Sequence, residues 1–125
     1  MKVQESAENY LETILILEKQ CSGVHAIDIA SELGYSKPSV SIAMKRLREN
    51  GYIAIDEFQH ITLTDRGREI AERMYDRHRL LQELLVRLGV GAEVAARDAC
   101  RIEHVISEET FACLRRHAEE YGNRS

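Results

Sequence analysis

Apolar residues recur at helical spacing through most of the chain and are interrupted by short turn signals. The first such stretch reaches about Lys19, and the second spans about Ala26 to Leu33 before Gly34. Because residues three or four positions apart share one helix face, both stretches predict amphipathic helices. A third helix is predicted from Pro38, which suits a first helical position, to Asn50.

The spacing then changes from helical to strand-like. Tyr52–Ile55 and His60–Leu63 flank the polar segment Asp56–Gln59, a pattern that predicts a two-stranded hairpin. Longer apolar stretches beyond it predict three further helices, over about 64–88, 92–105 and 107–121. The expected fold is therefore mostly α-helical, with one small hairpin.

The second and third predicted helices are joined by a turn of about four residues, as in a helix-turn-helix. The hairpin that follows makes the predicted unit a winged helix-turn-helix domain. The outward face of the third helix offers hydroxyl groups, cations and one apolar side chain, which suit phosphates and base edges in a major groove. An ordinary basic amphipathic helix is the alternative. The candidate DNA-binding residues are Ser36, Lys37, Pro38, Ser39, Ser41, Ile42, Lys45 and Arg46.

Charge is distributed unevenly along the chain. The formal net charge of −4 argues against a protein that holds nucleic acid by bulk charge. The segment from Tyr35 to Gly51, however, contains four cationic residues and only one acidic residue. A short basic segment in an acidic chain needs a source of DNA affinity beyond its own charge. This need is a hint that DNA binding is regulated.

Other totals favour a cytoplasmic protein. Cys21, Cys100 and Cys113 are odd in number and scattered, which does not indicate a disulfide framework. The polar start Met1–Glu5 differs from a secretory signal, and no window approaches the 18 apolar residues of a membrane span.

One short run in the second half carries candidate metal chemistry. If the helix predicted over 92–105 is continuous, Cys100, Glu103 and His104 share one face of it. Thiol, carboxylate and imidazole groups are common ligands of divalent transition metals. A solvated face with an incidental cysteine is the alternative reading. His78 interrupts the apolar stripe of the preceding helix, where a hydrogen-bonded core histidine is the alternative to a ligand.

Two further features are notable only in combination with that run. Asn9 and Glu12 lie together on one flank of the first helix, where a surface pair is the simpler interpretation. Leu80, Leu84 and Leu114 add more apolar surface than the second half needs for its own core. We take the excess as a homodimer interface.

A winged helix, a long helix with a mid-stripe His and a Cys-x-x-Glu-His run together resemble the metal-dependent repressors of the diphtheria toxin repressor family. The resemblance covers about residues 5–116, and the run Asp98–Ser107 looks very much like the iron-responsive branch. Ala7–Ile14 and Arg77–Leu80 also match. Such proteins bind Fe(II) or Mn(II) and, when loaded, bind operators as dimers and repress metal-uptake genes.

The resemblance implies a ligand set by position. Cys100, Glu103 and His104 match ligands on the family's fifth helix, and His78 matches one on its fourth. Glu12 matches a first-helix ligand of the manganese branch. Asn9 stands where the iron branch has Met and the manganese branch has Asp, and its amide oxygen could bind more weakly.

The chain departs from both branches. Gln82 and Ala96 replace a Glu and a His of the second metal site of the iron branch, so the resemblance implies that this site is lost or rebuilt. Ile42 replaces a polar base-contacting residue, so operator preference does not transfer. The length resembles a short form without the C-terminal barrel-like domain, as in the manganese branch. We favour Fe(II) over Mn(II) because of the thiol, with Zn(II), Co(II) or Ni(II) able to substitute in vitro.

The sequence therefore predicts a metal-dependent transcriptional repressor with a DNA-binding domain over residues 1–66 and a helical metal-binding and dimerisation domain over 67–125. Its expected partners are a double-stranded DNA operator and a second copy of the chain, without a membrane or an organic cofactor. A metal-independent winged-helix regulator is the alternative. An enzyme is not expected, because no nucleophile elbow, phosphate loop or His-Glu-x-x-His run is present.

Overall fold

The computed structural model describes residues 5–122, with the side chain of Glu5 left out. Residues 1–4, most of the segment that argued against a secretory signal, and residues 123–125 lie outside this range. The chain divides into two compact units, one reaching to Arg73 and the other starting at Met74. Six helices and two strands occur among the described residues, in agreement with the predicted mostly helical fold.

The first unit contains three helices, a hairpin and the start of a fourth helix. Its helices are α1 (Glu5–Glu18), α2 (Ala26–Leu33) and α3 (Lys37–Glu49). Gly34 ends α2 in the left-handed conformation, with φ of 71°, and this conformation favours glycine. The turn from Gly34 to Ser36 then leads into α3, as the helix-turn-helix prediction required.

The hairpin consists of β1 (Ile53–Ile55) and β2 (Ile61–Leu63), which pair antiparallel. On the other side of β2, the Ile61 amide donates to the Val24 carbonyl at 2.7 Å, which adds an isolated bridge that the hydrophobic pattern did not predict. Alternate residues of the strands face the core, so Ile53, Ile61 and Leu63 are buried. The core of the unit is completed by buried residues of the helices, among them Leu11, Ile14, Ile29, Val40, Met44 and Leu47.

Helix α4 (Asp65–Arg87) begins beside the hairpin. The Thr64 hydroxyl accepts from the Gly67 amide at 3.2 Å and donates to the Gly51 carbonyl at 2.7 Å, so it caps the helix and anchors it to the preceding turn. Gly67 approaches the backbone so closely that an added Cβ would lie 2.0 Å from the Tyr52 carbonyl oxygen. The start of α4 therefore requires glycine at this position.

The second unit consists of the rest of α4 with α5 (Ala92–Ile102) and α6 (Glu108–Gly122). Ala95 and Ala99 of α5 are buried, and Leu81 and Ala118 contribute from the other two helices. Two predictions for these helices are corrected. Helix α4 ends at Arg87, within one residue of the predicted end, but Leu88, the predicted end of its apolar stripe, is 80 % exposed.

The second correction concerns α5, which ends at Ile102 instead of continuing to Val105. The amides of Val105 and Ile106 both donate to the Ile102 carbonyl, at 3.0 and 3.2 Å, and form a tight turn. Glu103 still has helical dihedral angles and donates to the Ala99 carbonyl at 3.0 Å, so the expected face reaches it at the helix cap, whereas His104 lies in the turn that follows.

Candidate metal centre and nucleic-acid interface

Helix α3 presents a polar and basic face. Its N-terminal cap is Ser36, whose hydroxyl accepts from the Ser39 amide at 3.3 Å. Val40, Met44 and Leu47 are buried, which turns the opposite face outward. All eight candidate DNA-binding residues are exposed, namely Ser36, Lys37, Pro38, Ser39, Ser41, Ile42, Lys45 and Arg46.

The exposed face of α3 combines charge with an apolar group. Lys37, Lys45 and Arg46 are cations without an acidic residue in the first turn of the helix. Ile42 is 57 % exposed, although burial in a core is the usual position for an isoleucine. Recognition of a DNA major groove uses this combination: cations contact phosphates, and an apolar side chain contacts a thymine methyl group.

The hairpin tip is held by one carboxylate. Asp56 accepts from the amides of Phe58 and His60 at 2.8 and 2.9 Å, and its Oδ2 lies 3.2 Å from the His60 ring nitrogen Nδ1. The pKa of Asp56 is lowered chiefly by the hydrogen bond from the His60 amide, with a smaller contribution from the Phe58 amide. Phe58 is thereby presented at the tip with 68 % of its surface exposed.

The Cys-x-x-Glu-His run forms a cluster at the C-terminal end of α5. The Cys100 thiol, a carboxylate oxygen of Glu103 and a ring nitrogen of His104 all lie within 4.8 Å of one another. Cys100 is in the last turn of the helix, and the other two residues are in the turn beyond it. The three groups therefore converge at the C-terminal end of the helix.

His78 reaches the same cluster from α4. Its Nδ1 lies 3.5 Å from Oε2 of Glu103, while Nε2 of His104 lies 3.3 Å from Oε1 of the same carboxylate. Glu103 is completely buried, and the His104 side chain is 2 % exposed. One carboxylate therefore sits between two imidazoles, with a thiol beside it.

The carboxylate of Glu103 lacks the hydrogen bonds that a buried charge requires. Neither Oε1 nor Oε2 accepts a hydrogen bond from any residue in the range 5–122. An ionised carboxylate removed from water is costly unless a charge or donors compensate it. A divalent cation would supply that compensation, and the sulfur, nitrogen and oxygen donors present here fit a transition metal. The residues of this cluster therefore fit the metal that the motif predicts.

The remaining candidate ligands lie in the first unit, on α1. Glu12 is 4 % exposed and Asn9 is half-buried; the Asn9 main-chain carbonyl accepts from the Thr13 hydroxyl at 2.8 Å. His78, Cys100, Glu103 and His104 are brought together within the second unit, whereas the roles of Asn9 and Glu12 stay predictions from the family resemblance.

One residue of the cluster's surroundings was not anticipated. Arg77 is only 6 % exposed, and its guanidinium contacts the backbone beside Glu103. It occupies a buried position in a helical stripe that the hydrophobic pattern assigned to apolar residues and His78. The available signal was a charged residue next to the candidate ligand His78. The hydrogen-bond partners of Arg77 are 26 and 29 residues away in the chain, so the sequence could not identify them.

None of the helices among residues 5–122 is both long and apolar enough to cross a membrane.

Comparison with known proteins gives consistent matches to both halves of the chain. A family model described as the iron-dependent repressor N-terminal DNA-binding domain matches residues 2–61. A second, described as the iron-dependent repressor metal-binding and dimerisation domain, matches residues 64–121. The two models together account for nearly the whole chain.

Individual relatives agree with these models. The transcriptional regulator MntR of Escherichia coli O157:H7 is 34 % identical over 119 residues, which cover 95 % of this chain and 77 % of MntR. The iron-dependent repressor IdeR of Mycobacterium tuberculosis H37Rv is 36 % identical over 106 residues, covering 84 % of this chain and 46 % of IdeR. The solved structure of the manganese regulator SloR superposes with a TM-score of 0.80 at 26 % identity, covering 95 % of this chain. The match spans about half of SloR, 55 % of its chain.

Proposed function

Because the chain belongs to the diphtheria toxin repressor family of metal-dependent transcriptional regulators, we propose that it is a DNA-binding repressor that uses a divalent transition metal as co-repressor and controls metal-homeostasis genes. The observation that carries the proposal is the buried, hydrogen-bond-free carboxylate of Glu103 among the imidazoles of His78 and His104 and the thiol of Cys100. A divalent cation bound among these donors would compensate the buried charge.

The residues proposed to hold the metal are His78, Cys100, Glu103 and His104. When bound, the metal would supply positive charge to a buried carboxylate and a common point of attachment for the donors. The chain's own contribution is to bring two elements together, the middle of α4 through His78 and the turn after α5 through Glu103. Glu12, and more weakly Asn9, are proposed as additional ligands on the family resemblance.

We propose Fe(II) as the preferred metal over Mn(II). A thiol donor favours softer cations, whereas Mn(II) prefers oxygen ligands such as the carboxylate of Glu12. Zn(II), Co(II) and Ni(II) are expected to occupy the same donors in vitro. The relatives do not decide between the two metals, because SloR is described as a manganese regulator and IdeR as an iron-dependent repressor. The proposal of Fe(II) therefore rests on ligand chemistry.

The proposed DNA-binding surface is the exposed face of α3, with Ser36, Lys37, Pro38, Ser39, Ser41, Ile42, Lys45 and Arg46. We place the DNA-binding domain at residues 1–66 and the metal-binding and dimerisation domain at 67–125. The two family models support this division, since one ends at residue 61 and the next begins at 64. A cytoplasmic location follows from the DNA target.

We further propose a homodimer, which presents two recognition helices to an operator with two half-sites. The second model's description as a dimerisation domain supports this assembly. In the second unit, Val86, Leu88, Val94 and Val105 are large apolar residues that are between 42 % and 80 % exposed. A second copy of the chain would cover such side chains.

Matched pairs of variants test the metal site. We would measure fluorescence anisotropy of DNA from the region upstream of the protein's own gene, with Fe(II) under anaerobic conditions. Cys100→Ala and His104→Ala are expected to lose metal-stimulated binding. Cys113→Ala and His117→Ala, which alter exposed residues of α6, should retain it. Equal metal-stimulated binding in all four variants would reject this cluster as the regulatory site.

A further inference from the structure

Arg77 is a buried cation beside the proposed metal ligands. Its Nη1 donates to the carbonyl of Glu103 at 3.1 Å and to the carbonyl of Ile106 at 3.3 Å. Hydrogen bonds from a charged donor are shorter and stronger than neutral ones. These two carbonyls stand at the first and last residues of the segment 103–106, the turn that carries Glu103 and His104.

This contact lies just beyond the end of α5, which stops at Ile102. The Ile102 carbonyl accepts from the backbone amides of Val105 and Ile106, whereas the carbonyls of Glu103 and Ile106 accept from the guanidinium. No glycine or proline stands between Ile102 and Ser107 to end the helix locally. A guanidinium from another helix therefore contributes to where α5 stops and, with it, to the position of the ligands in the following turn.

The same guanidinium also contacts α6. Its central carbon lies 5.1 Å from the centre of the Phe111 ring, and that of Arg115 lies 5.0 Å from the same ring. Arg115 in turn pairs with Asp76, which precedes Arg77 on α4. The side chain of Arg77 is consequently held by a cation–π contact at the ring and by hydrogen bonds at the turn.

We infer that Arg77 is a positioning residue for the metal-binding turn, an inference that rests on the proposed function. Two consecutive residues of α4 hold one residue of the turn: His78 lies against the carboxylate of Glu103, and Arg77 binds its carbonyl. The guanidinium fixes the backbone from which the carboxylate and the imidazole of His104 project. Without it, the turn must be ordered at the moment the metal binds, and affinity falls by that ordering cost.

The test is a titration of the reduced, metal-free protein with Co(II), monitored by thiolate-to-cobalt charge-transfer absorption from Cys100. Arg77→Met keeps an unbranched apolar side chain and removes every donor. We expect its Co(II) affinity to fall roughly 10- to 100-fold, the usual effect of removing a group that orients a metal ligand. The charge-transfer band at saturation should also be weaker. Arg79→Met is the matched control, since Arg79 is exposed on the same helix, and it should titrate like the wild type.

Arg77→Lys decides the matter if Arg77→Met does not fold. A lysine retains the charge but cannot reproduce the geometry of the guanidinium, so its affinity should lie between those of the wild type and Arg77→Met. The inference would be overturned if folded Arg77→Met, or Arg77→Lys, had the Co(II) affinity and the charge-transfer spectrum of the wild type. This holds even if the thermal stability of the variant is lowered. A wild-type protein that binds no Co(II) would instead refute the proposed function, and the inference with it.

Discussion

Replacing Glu103 by Gln should make the metal-free protein more stable while removing its response to metal. Glu103 is completely buried, lies 3.3 Å from a His104 nitrogen and 3.5 Å from a His78 nitrogen, and accepts no hydrogen bond among the described residues. Gln keeps the volume and shape of the side chain and removes its charge. Its amide can also donate to the Nδ1 atom of His78, which a carboxylate cannot do.

The size of the effect follows from burial. A buried polar group without its hydrogen bonds costs about 1–3 kcal/mol, and more if it is charged. Since the carboxylate is completely buried and accepts no hydrogen bond among the described residues, we expect Glu103→Gln to raise the free energy of unfolding by about 1–3 kcal/mol in chelator. Metal at a hundred times its dissociation constant should stabilise the wild type by about 2.7 kcal/mol, and the variant by much less.

Urea unfolding followed by circular dichroism, in chelator and with Co(II), measures both quantities. Glu83→Gln, an exposed carboxylate on α4, is the control and should change neither value by more than about 0.5 kcal/mol. The reasoning is refuted if metal-free Glu103→Gln is less stable than the wild type. It is equally refuted if metal stabilises the two proteins to the same extent.

Three further predictions concern the first unit. Lys45→Ala should weaken binding across DNA sequences and reduce the slope of log affinity against log salt by about 0.9, and an unchanged slope in a salt titration would mean that Lys45 contacts no phosphate. Gly67→Ala should lower the free energy of unfolding by about 1–3 kcal/mol or more, because its Cβ would lie 2.0 Å from the Tyr52 carbonyl oxygen, and wild-type stability in urea would exclude that close approach. The lowered pKa of Asp56 means that this carboxylate stabilises the fold above its ordinary pKa of 3.8 and that the contribution is lost as pH falls through the lowered value. Asp56→Ala should therefore reduce the melting temperature at pH 6 and lose that difference at lower pH, whereas an equal difference at every pH would exclude titration of the Asp56 carboxylate as its source.

Most elements of the fold could be predicted because their signals are local. Gly34 after an apolar stretch and Pro38 at the start of the next one mark the turn of the helix-turn-helix, and the structure confirms both. Ser36, two residues before Pro38, is the N-terminal cap of the helix. The bridge between Val24 and Ile61 was missed, because a single paired residue leaves no alternating pattern to detect.

The candidate site was predictable as a set of residues and less so as a geometry. Cys100 and His104 were named from their spacing on a helix, yet that helix ends at Ile102. No glycine or proline marks that end in the sequence, and the turn is held both by local backbone hydrogen bonds and by donation from Arg77, whose partners lie far away in the chain. Spacing therefore identifies which residues carry the chemistry, while tertiary hydrogen bonds decide how they meet.

The metal dependence of operator binding measures directly whether a divalent metal acts as co-repressor. The wild-type protein would be titrated onto fluorescent DNA from its own upstream region, first in chelator and then with Fe(II), Mn(II) or Zn(II) under anaerobic conditions. We predict binding only with metal, with Fe(II) acting at the lowest free concentration. Binding of equal strength in chelator would contradict the account and would leave a winged-helix regulator in which Cys100, Glu103 and His104 have a structural role.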